Sequence, residues 1–182
     1  MAQLRRDAPL AIIGGKMKTY YTYMESPVGR LVLTSDGTSL TALQPDSSKY
    51  PVSIFDDWIE DDGAAPFPEA RRQLEEYFAG HLVDFDLPLA PNGTPFQRRV
   101  WQELQTIAHG TTTTYGDIAR RIGNPNGMRA VGLANGKNPI AIIVPCHRVI
   151  GANGTLTGYA GGLVMKQGLL ELEGGGGLFR RD

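Results

Sequence analysis

Cysteine is almost absent from this chain: Cys146 is the only one in 182 residues. That excludes an internal disulfide, and it leaves no second thiol to resolve a reversible redox cycle. Long apolar runs are missing too. The longest, Pro139 to Pro145 and Pro9 to Ile13, are far too short to span a bilayer. The first residues carry Arg5 and Arg6 ahead of that short run but lack the core and cleavage site of a signal peptide. Residues 1–16, ending in Gly14-Gly15-Lys16, are expected to be a flexible leader or cloning remnant before Met17. Together these features point to a reducing intracellular compartment.

What is present is an ordinary globular composition, 41% apolar and 20% charged, enough for one domain of common size or two small ones. The net charge of −1 conceals an asymmetry. Residues 1–91 carry 8 Lys+Arg against 14 Asp+Glu, a balance of −6, while residues 92–182 carry 10 against 5, a balance of +5. An acidic half followed by a basic half suggests that the C-terminal part meets something anionic.

Residues 18–45 read as a small antiparallel meander, with turns at Ser26-Pro27-Val28-Gly29 and Asp36-Gly37. The acidic, proline-bearing stretch 46–67 reads mostly as loop. A helix is expected from Pro68 to Ala79, with Leu74, Tyr77 and Phe78 on one stripe and Gly80 as its stop. Phe85-Asp86-Leu87-Pro88 can add a strand, and Pro88 to Gly93 makes a plausible domain junction. Beyond it, Thr94 is a natural N-cap and Pro95 suits the first helical position. That helix is expected to reach about Ala108, burying Phe96, Val100, Leu104 and Ile107. Two short helices follow, Tyr115 to Ile122 and Asn126 to Asn135, separated by Gly123-Asn124-Pro125. A strand should then run to Cys146, and a last helix from about Gly162 to Leu172. The expected division is 17–90 for an N-terminal α/β domain, 91–174 for a C-terminal domain and 175–182 for a flexible tail.

Two features carry chemistry. The pair of short helices has the proportions of a helix-turn-helix, the second lined with small residues (Gly127, Ala130, Gly132, Ala134) and bearing Arg129. Arg120, Arg121, Arg129 and Lys137 could meet phosphates or form a solvated face. The second feature is Pro145-Cys146-His147-Arg148. A lone buried thiol is usually a small hydrophobe, but a base and a guanidinium are poor company for one. A thiolate is a strong nucleophile, and a nearby imidazole lowers the cost of making it. On an extended backbone Cys146 and His147 would point to opposite faces, so proton transfer needs a bend or a bridging water. The imidazole also needs an orienting partner. Glu171 and Glu173 are both available, and composition does not choose between them.

These residues resemble a known family. Pro145-Cys146-His147-Arg148-Val149-Ile150 is similar to the active-site signature of the methylated-DNA–protein-cysteine methyltransferases, or O6-alkylguanine-DNA alkyltransferases. Gly93-Thr94-Pro95-Phe96-Gln97, Tyr115-Gly116-Asp117-Ile118-Ala119, Arg129-Ala130-Val131-Gly132, Asn135-Gly136-Lys137-Asn138-Pro139 and Gly158-Tyr159-Ala160-Gly161-Gly162 resemble further family blocks, in family order. The likeness spans essentially all of 93–173, and 17–90 fits the family's variable N-terminal domain more loosely.

The resemblance implies an α+β fold: a small antiparallel-sheet, ribonuclease H-like N-terminal domain, then a mostly helical winged helix-turn-helix domain. It implies a repair protein that takes a methyl or other alkyl group from O6 of guanine in DNA onto its own thiol, once per molecule. O4-alkylthymine is a further candidate substrate. Cys146 would be the acceptor, His147 its base through a water, and Glu173 the imidazole's partner. Tyr115 would hydrogen-bond or protonate the damaged base, and Arg129 would fill the gap left by the flipped nucleotide. Asn138 would tie the recognition helix to the cysteine strand, and Gly132 belongs to the DNA-binding helix. Val149, Tyr159, Ala160 and Lys166 would line the base pocket, while Arg148 would be structural. Gly168 stands where many members carry tryptophan.

Some members hold zinc in the N-terminal domain; here His81 and His109 cannot close a four-ligand site, so neither metal nor cofactor is expected. The expected partner is double-stranded DNA carrying alkylated guanine, met by a monomer, with cooperativity along DNA left open. No membrane partner is expected, and the location would be the cytoplasm, or the nucleus in a eukaryote. Two other classes compete. A non-catalytic binder of alkylated bases would lack the cysteine, and a cysteine hydrolase would need a distant histidine in a better context than His81 or His109.

Overall fold

The meander forms as expected: strands β1 (Tyr20–Met24), β2 (Leu31–Ser35) and β3 (Leu40–Pro45) pair antiparallel, with Thr22 opposite Leu33 and Leu33 opposite Leu43. The computed structural model describes residues 18–174, so the expectations for 1–16 and 175–182 fall outside it. Leu31, Leu33, Leu40 and Leu43 go into the core together with Phe67, Ala70, Leu74 and Tyr77 of helix α1 (Phe67–Phe78). Their spacing of three and four residues gives α1 one apolar stripe. The acidic stretch is not all loop. Strand β4 (Ile59–Glu60) pairs parallel with β1, making a mixed four-stranded sheet in the order β3-β2-β1-β4.

No strand forms over Phe85–Pro88. Instead Leu89 makes a single bridge to Leu40, where the Leu40 amide donates to the Pro88 carbonyl (2.8 Å) and the Ala90 amide to the Leu40 carbonyl (2.9 Å). Prolines at 88 and 91 have no amide hydrogen to extend a ladder. Further along the same strand, the Leu43 amide donates to the Pro139 carbonyl (2.9 Å) and the Ala141 amide to the Leu43 carbonyl (2.8 Å). One strand of the N-terminal sheet therefore anchors the chain segment that leads to Cys146.

The C-terminal half begins with α2 (Pro95–Leu104). Thr94 and Gln97 form a reciprocal capping box at its start. The helix ends four residues before the expected Ala108. Thr106 and Ile107 donate to Glu103 and Leu104 in tighter i to i+3 turns, and the Thr106 hydroxyl takes the Glu103 carbonyl as well (2.8 Å). Trp101 is fully buried and its indole N–H donates to the Ala134 carbonyl (2.8 Å), tying α2 to helix α4 (Met128–Gly136).

Gly93 lies against that indole, and a Cβ there would run into the ring. Gly93→Ala is expected to cost about 1–3 kcal/mol of stability by overpacking, read as a lower urea midpoint with an unchanged slope. A side chain accommodated at no cost would contradict this packing.

Between them, α3 (Tyr115–Arg121) is capped by a second box, Thr114 with Asp117. Strands β5 (Thr113–Thr114) and β6 (Val149–Ile150) pair in parallel beside it, and α5 (Leu163–Glu173) closes the chain. Gly168 is buried in α5. Among the described residues no helix is long and apolar enough to cross a membrane.

Candidate active site

The expected strand into Cys146 is absent. Ile142-Ile143-Val144 has the β-branched composition of a strand, yet Ile142 sits at φ 69 and Cys146–Arg148 form a 3-10 turn. A β-branched residue in the left-handed region costs roughly 1–2 kcal/mol. Asn138 offsets it: its amide nitrogen donates to the Ile140 (3.2 Å) and Val144 (2.8 Å) carbonyls, and its oxygen accepts from the Ile140 amide (3.0 Å). The segment is thus wrapped around one buried side chain. The bend supplies what an extended backbone denied, since Cys146 and His147 now both face the interior.

The same Asn138 nitrogen donates to Cys146 Sγ (3.1 Å). The thiol is only 5% exposed. Burial pushes it up from its ordinary value, opposed by the Asn138 amide and by the Lys166 ammonium. At rest the sulfur is a protonated thiol that needs a base.

His147 is fully buried, and burial pushes its imidazole below the usual range, so it is neutral. Its Nε2 lies 2.7 Å from Glu173 Oε1. For Glu173, burial alone would raise the carboxyl, but the hydrogen bonds from His147 and Arg148 win and hold it well below the ordinary carboxylate value. An ionised carboxylate accepts only, so Nε2 carries the imidazole proton and Nδ1 keeps its lone pair. Nδ1 is buried, without a hydrogen-bond partner among the described residues, and no bond there joins the ring to Sγ.

Glu173 gathers further donors. Arg148 reaches it with Nε (2.8 Å) and Nη2 (2.9 Å) while Nη1 donates to the Ile107 carbonyl (2.6 Å). The Tyr77 hydroxyl donates to Oε1 (2.8 Å), and the Gly110 amide to Oε2 (3.4 Å). Of the two carboxylates that composition left open, Glu173 is the buried one that meets His147, and Glu171 bonds Gln167 near the surface (2.8 Å).

Around the thiol, a small cavity is lined by Gln44, Asn135, Asn138, Cys146, Tyr159 and Ala160. Lys166 is buried and donates to the Val149 (2.6 Å) and Thr157 (3.0 Å) carbonyls. Val149's carbonyl is therefore already engaged on one side. Tyr115, half-buried at the head of α3, accepts from the Thr157 hydroxyl (2.9 Å), which leaves its own proton free to donate. Gly132 of α4 faces the Tyr115 ring, and a Cβ there would meet it only at ordinary van der Waals distance.

Arg129 on α4 and Lys137 just past its C-terminal end lie exposed and make no ion pair among the described residues, whereas Arg120 is paired with Asp117 and Arg121 with Glu103. Among the described residues no group of His, Cys, Asp and Glu is placed to hold a metal. Sequence patterns missed Tyr77, Gln44, Asn135 and Thr157. The signal for Tyr77 was a phenol in an otherwise apolar stripe, which must find a buried partner.

Residues 19–91 match the ribonuclease-like domain of 6-O-methylguanine DNA methyltransferase, and residues 95–175 match its DNA binding domain. The methylated-DNA–protein-cysteine methyltransferase of Methanosarcina acetivorans is 56% identical over 155 residues, covering 85% of this chain and 98% of that one. Its namesake in Mycobacterium leprae is 55% identical over 150 residues, 82% and 89% of the two chains. The crystal structure of Mycobacterium tuberculosis OGT in complex with DNA superposes with a TM-score of 0.80 at 51% identity, over 87% of this chain and 94% of that one.

Proposed function

Because the chain belongs to the 6-O-methylguanine DNA methyltransferase family, we propose that it repairs DNA by direct reversal, moving an alkyl group from O6 of guanine to Cys146. The resulting thioether is not a disulfide, and no thiol exchange can undo it, so each molecule acts once. O4-alkylthymine is a second candidate lesion.

The supporting observation is a buried thiol beside a neutral imidazole whose free nitrogen faces inward while an ionised carboxylate holds the other. His147 Nδ1 takes the thiol proton through a bridging water. Sγ then bonds to the alkyl carbon as the carbon–O6 bond breaks. The guanine anion that leaves is stabilised and protonated from the Tyr115 phenol, and Glu173 steadies the imidazolium. Tyr159, Ala160, Val149 and Lys166 frame the base pocket, and Asn138 holds the sulfur in place.

A stacked base is out of reach of any thiol, so the nucleotide must be extruded at a cost of a few kcal/mol. Arg129, exposed on α4 with Gly132 on the same helix, fills the space in the duplex. The +5 balance of residues 92–182 suits a DNA partner. We place the division between the halves at residues 90 and 91, and the site of action in the cytoplasm, or the nucleus of a eukaryote.

Intact mass after incubation with duplex O6-methylguanine tests this directly. A lasting gain of one methylene is expected. An unchanged mass would mean a binder, and repeated turnover a hydrolase. Arg129→Ala is expected to slow repair in duplex DNA by roughly tenfold or more while slowing reaction with a free alkylguanine base much less. Equal slowing of both would remove its wedge role.

A further inference from the structure

Thr157 is half-buried in the loop between β6 and α5, directly ahead of Gly158, Tyr159 and Ala160 in the cavity wall. Its carbonyl accepts from the buried Lys166 ammonium (3.0 Å), which also donates to the Val149 carbonyl on β6 (2.6 Å). The loop is thereby tied to α5 and β6 together. From this fixed backbone the Thr157 hydroxyl donates to the phenol oxygen of Tyr115 (2.9 Å), the first residue of α3. Branching at Cβ leaves threonine few rotamers, so the hydroxyl is presented stiffly.

With Thr157 donating, the one proton of the phenol is free for the departing base. As that proton leaves, negative charge gathers on the phenol oxygen, where a donor is already in place to stabilise it. Burial pushes the Tyr115 phenol above its ordinary value, and the Thr157 bond pulls it back. The threonine therefore offsets part of the cost of keeping the acid out of water. We infer that Thr157 is a positioning residue for alkyl transfer: its hydroxyl aims the Tyr115 proton at the leaving guanine and steadies the phenoxide left behind. This rests on the repair activity proposed above and adds to it the group that supports the proton donor. The step balances. The phenol O–H bond breaks, its proton goes to the guanine anion, and its electron pair stays on the oxygen held by Thr157. The proton that His147 took from the thiol then restores the phenol through water.

The test is a double-mutant cycle on single-turnover transfer from duplex O6-methylguanine, read as the rate of methylene gain in intact mass. Thr157→Val keeps the shape and removes the donor, and is expected to slow transfer about fivefold, the effect of one neutral hydrogen bond. Thr157→Ser keeps the hydroxyl and is expected to recover most of that loss. In the Tyr115→Phe background, itself slower, adding Thr157→Val is expected to change nothing further. Each molecule reacts once, so the end-point counts the competent molecules and the rate constant is read from those alone. Long incubations keep a variant slowed a hundredfold within reach. Equal slowing by Thr157→Val with and without the phenol would mean that the threonine only packs the loop, and overturns the assignment. So does a serine variant as slow as the valine one, or a valine variant as fast as wild type. A wild-type protein that gains no methylene overturns the repair reading itself.

Discussion

Cys146→Ser is expected to lower alkyl transfer by more than about a thousandfold, to the level of a protein with no nucleophile. The serine hydroxyl would occupy the sulfur's place beside Asn138 Nδ2, so DNA binding and folding should survive. Intact mass would then stay constant through any length of incubation, while the wild-type chain gains its methylene and stops. A hydroxyl fails here because its proton is far harder to remove, and burial, which already pushes the thiol up, would push an alkoxide further still. A serine variant that still clears O6-methylguanine would place the chemistry on another residue.

Glu173→Gln should give the next largest effect, on stability and transfer together. Volume is kept but the charge is lost, and buried Arg148 is left without a counter-charge. Breaking a buried pair in this way costs about 3–5 kcal/mol, or a fall of roughly 10 °C in Tm for a chain of this size. His147 loses the partner that fixes its tautomer, so the rate in the surviving folded protein should fall as well. The same network makes stability depend on pH. The folded His147 pKa lies below its unfolded value of about 6.5. As pH drops below that point, the unfolded chain therefore binds the proton first and stability declines. Glu173, held low, adds a second loss below about 4.3. Urea midpoints measured from pH 8 down to pH 4 should fall on acidification. A flat profile would mean that His147 is not buried in its neutral form.

The elements visible from sequence were those that local chemistry specifies. The two capping boxes at Thr94 and Thr114, and the stripe of α1, depend on residues within one or two turns. So too the Pro-Cys-His-Arg run could be recognised as chemistry, because its oddity lies in adjacent residues. What stayed hidden depends on distant partners. The β-branched run before Cys146 favours a strand, and only the bonds of Asn138 reveal why it bends. The two residues of β4 owe their pairing to β1, 39 positions earlier. Tyr77 meets Glu173 across a separation of 96 residues, which no periodicity can signal. Asn135 was readable only as the end of the second short helix and the first residue of a block resembling the family's, and its burial against the Cys146 carbonyl needed three dimensions to be seen.

Two long-range side-chain contacts cross from the leading half of the chain into the trailing one. The Gln44 amide, on β3, donates to the Asn138 carbonyl (2.6 Å), and Tyr77, on α1, donates to Glu173. The lobe to which no contact with the lesion is assigned therefore braces both the asparagine under the sulfur and the carboxylate behind the imidazole. A shortened polypeptide starting at α2 would retain every side chain proposed to touch damaged DNA and still be a poorer reagent, since two of its struts would be gone. Exchange of the N-terminal lobe between relatives is constrained for the same reason: any substitute must present a phenol and an amide at those two places.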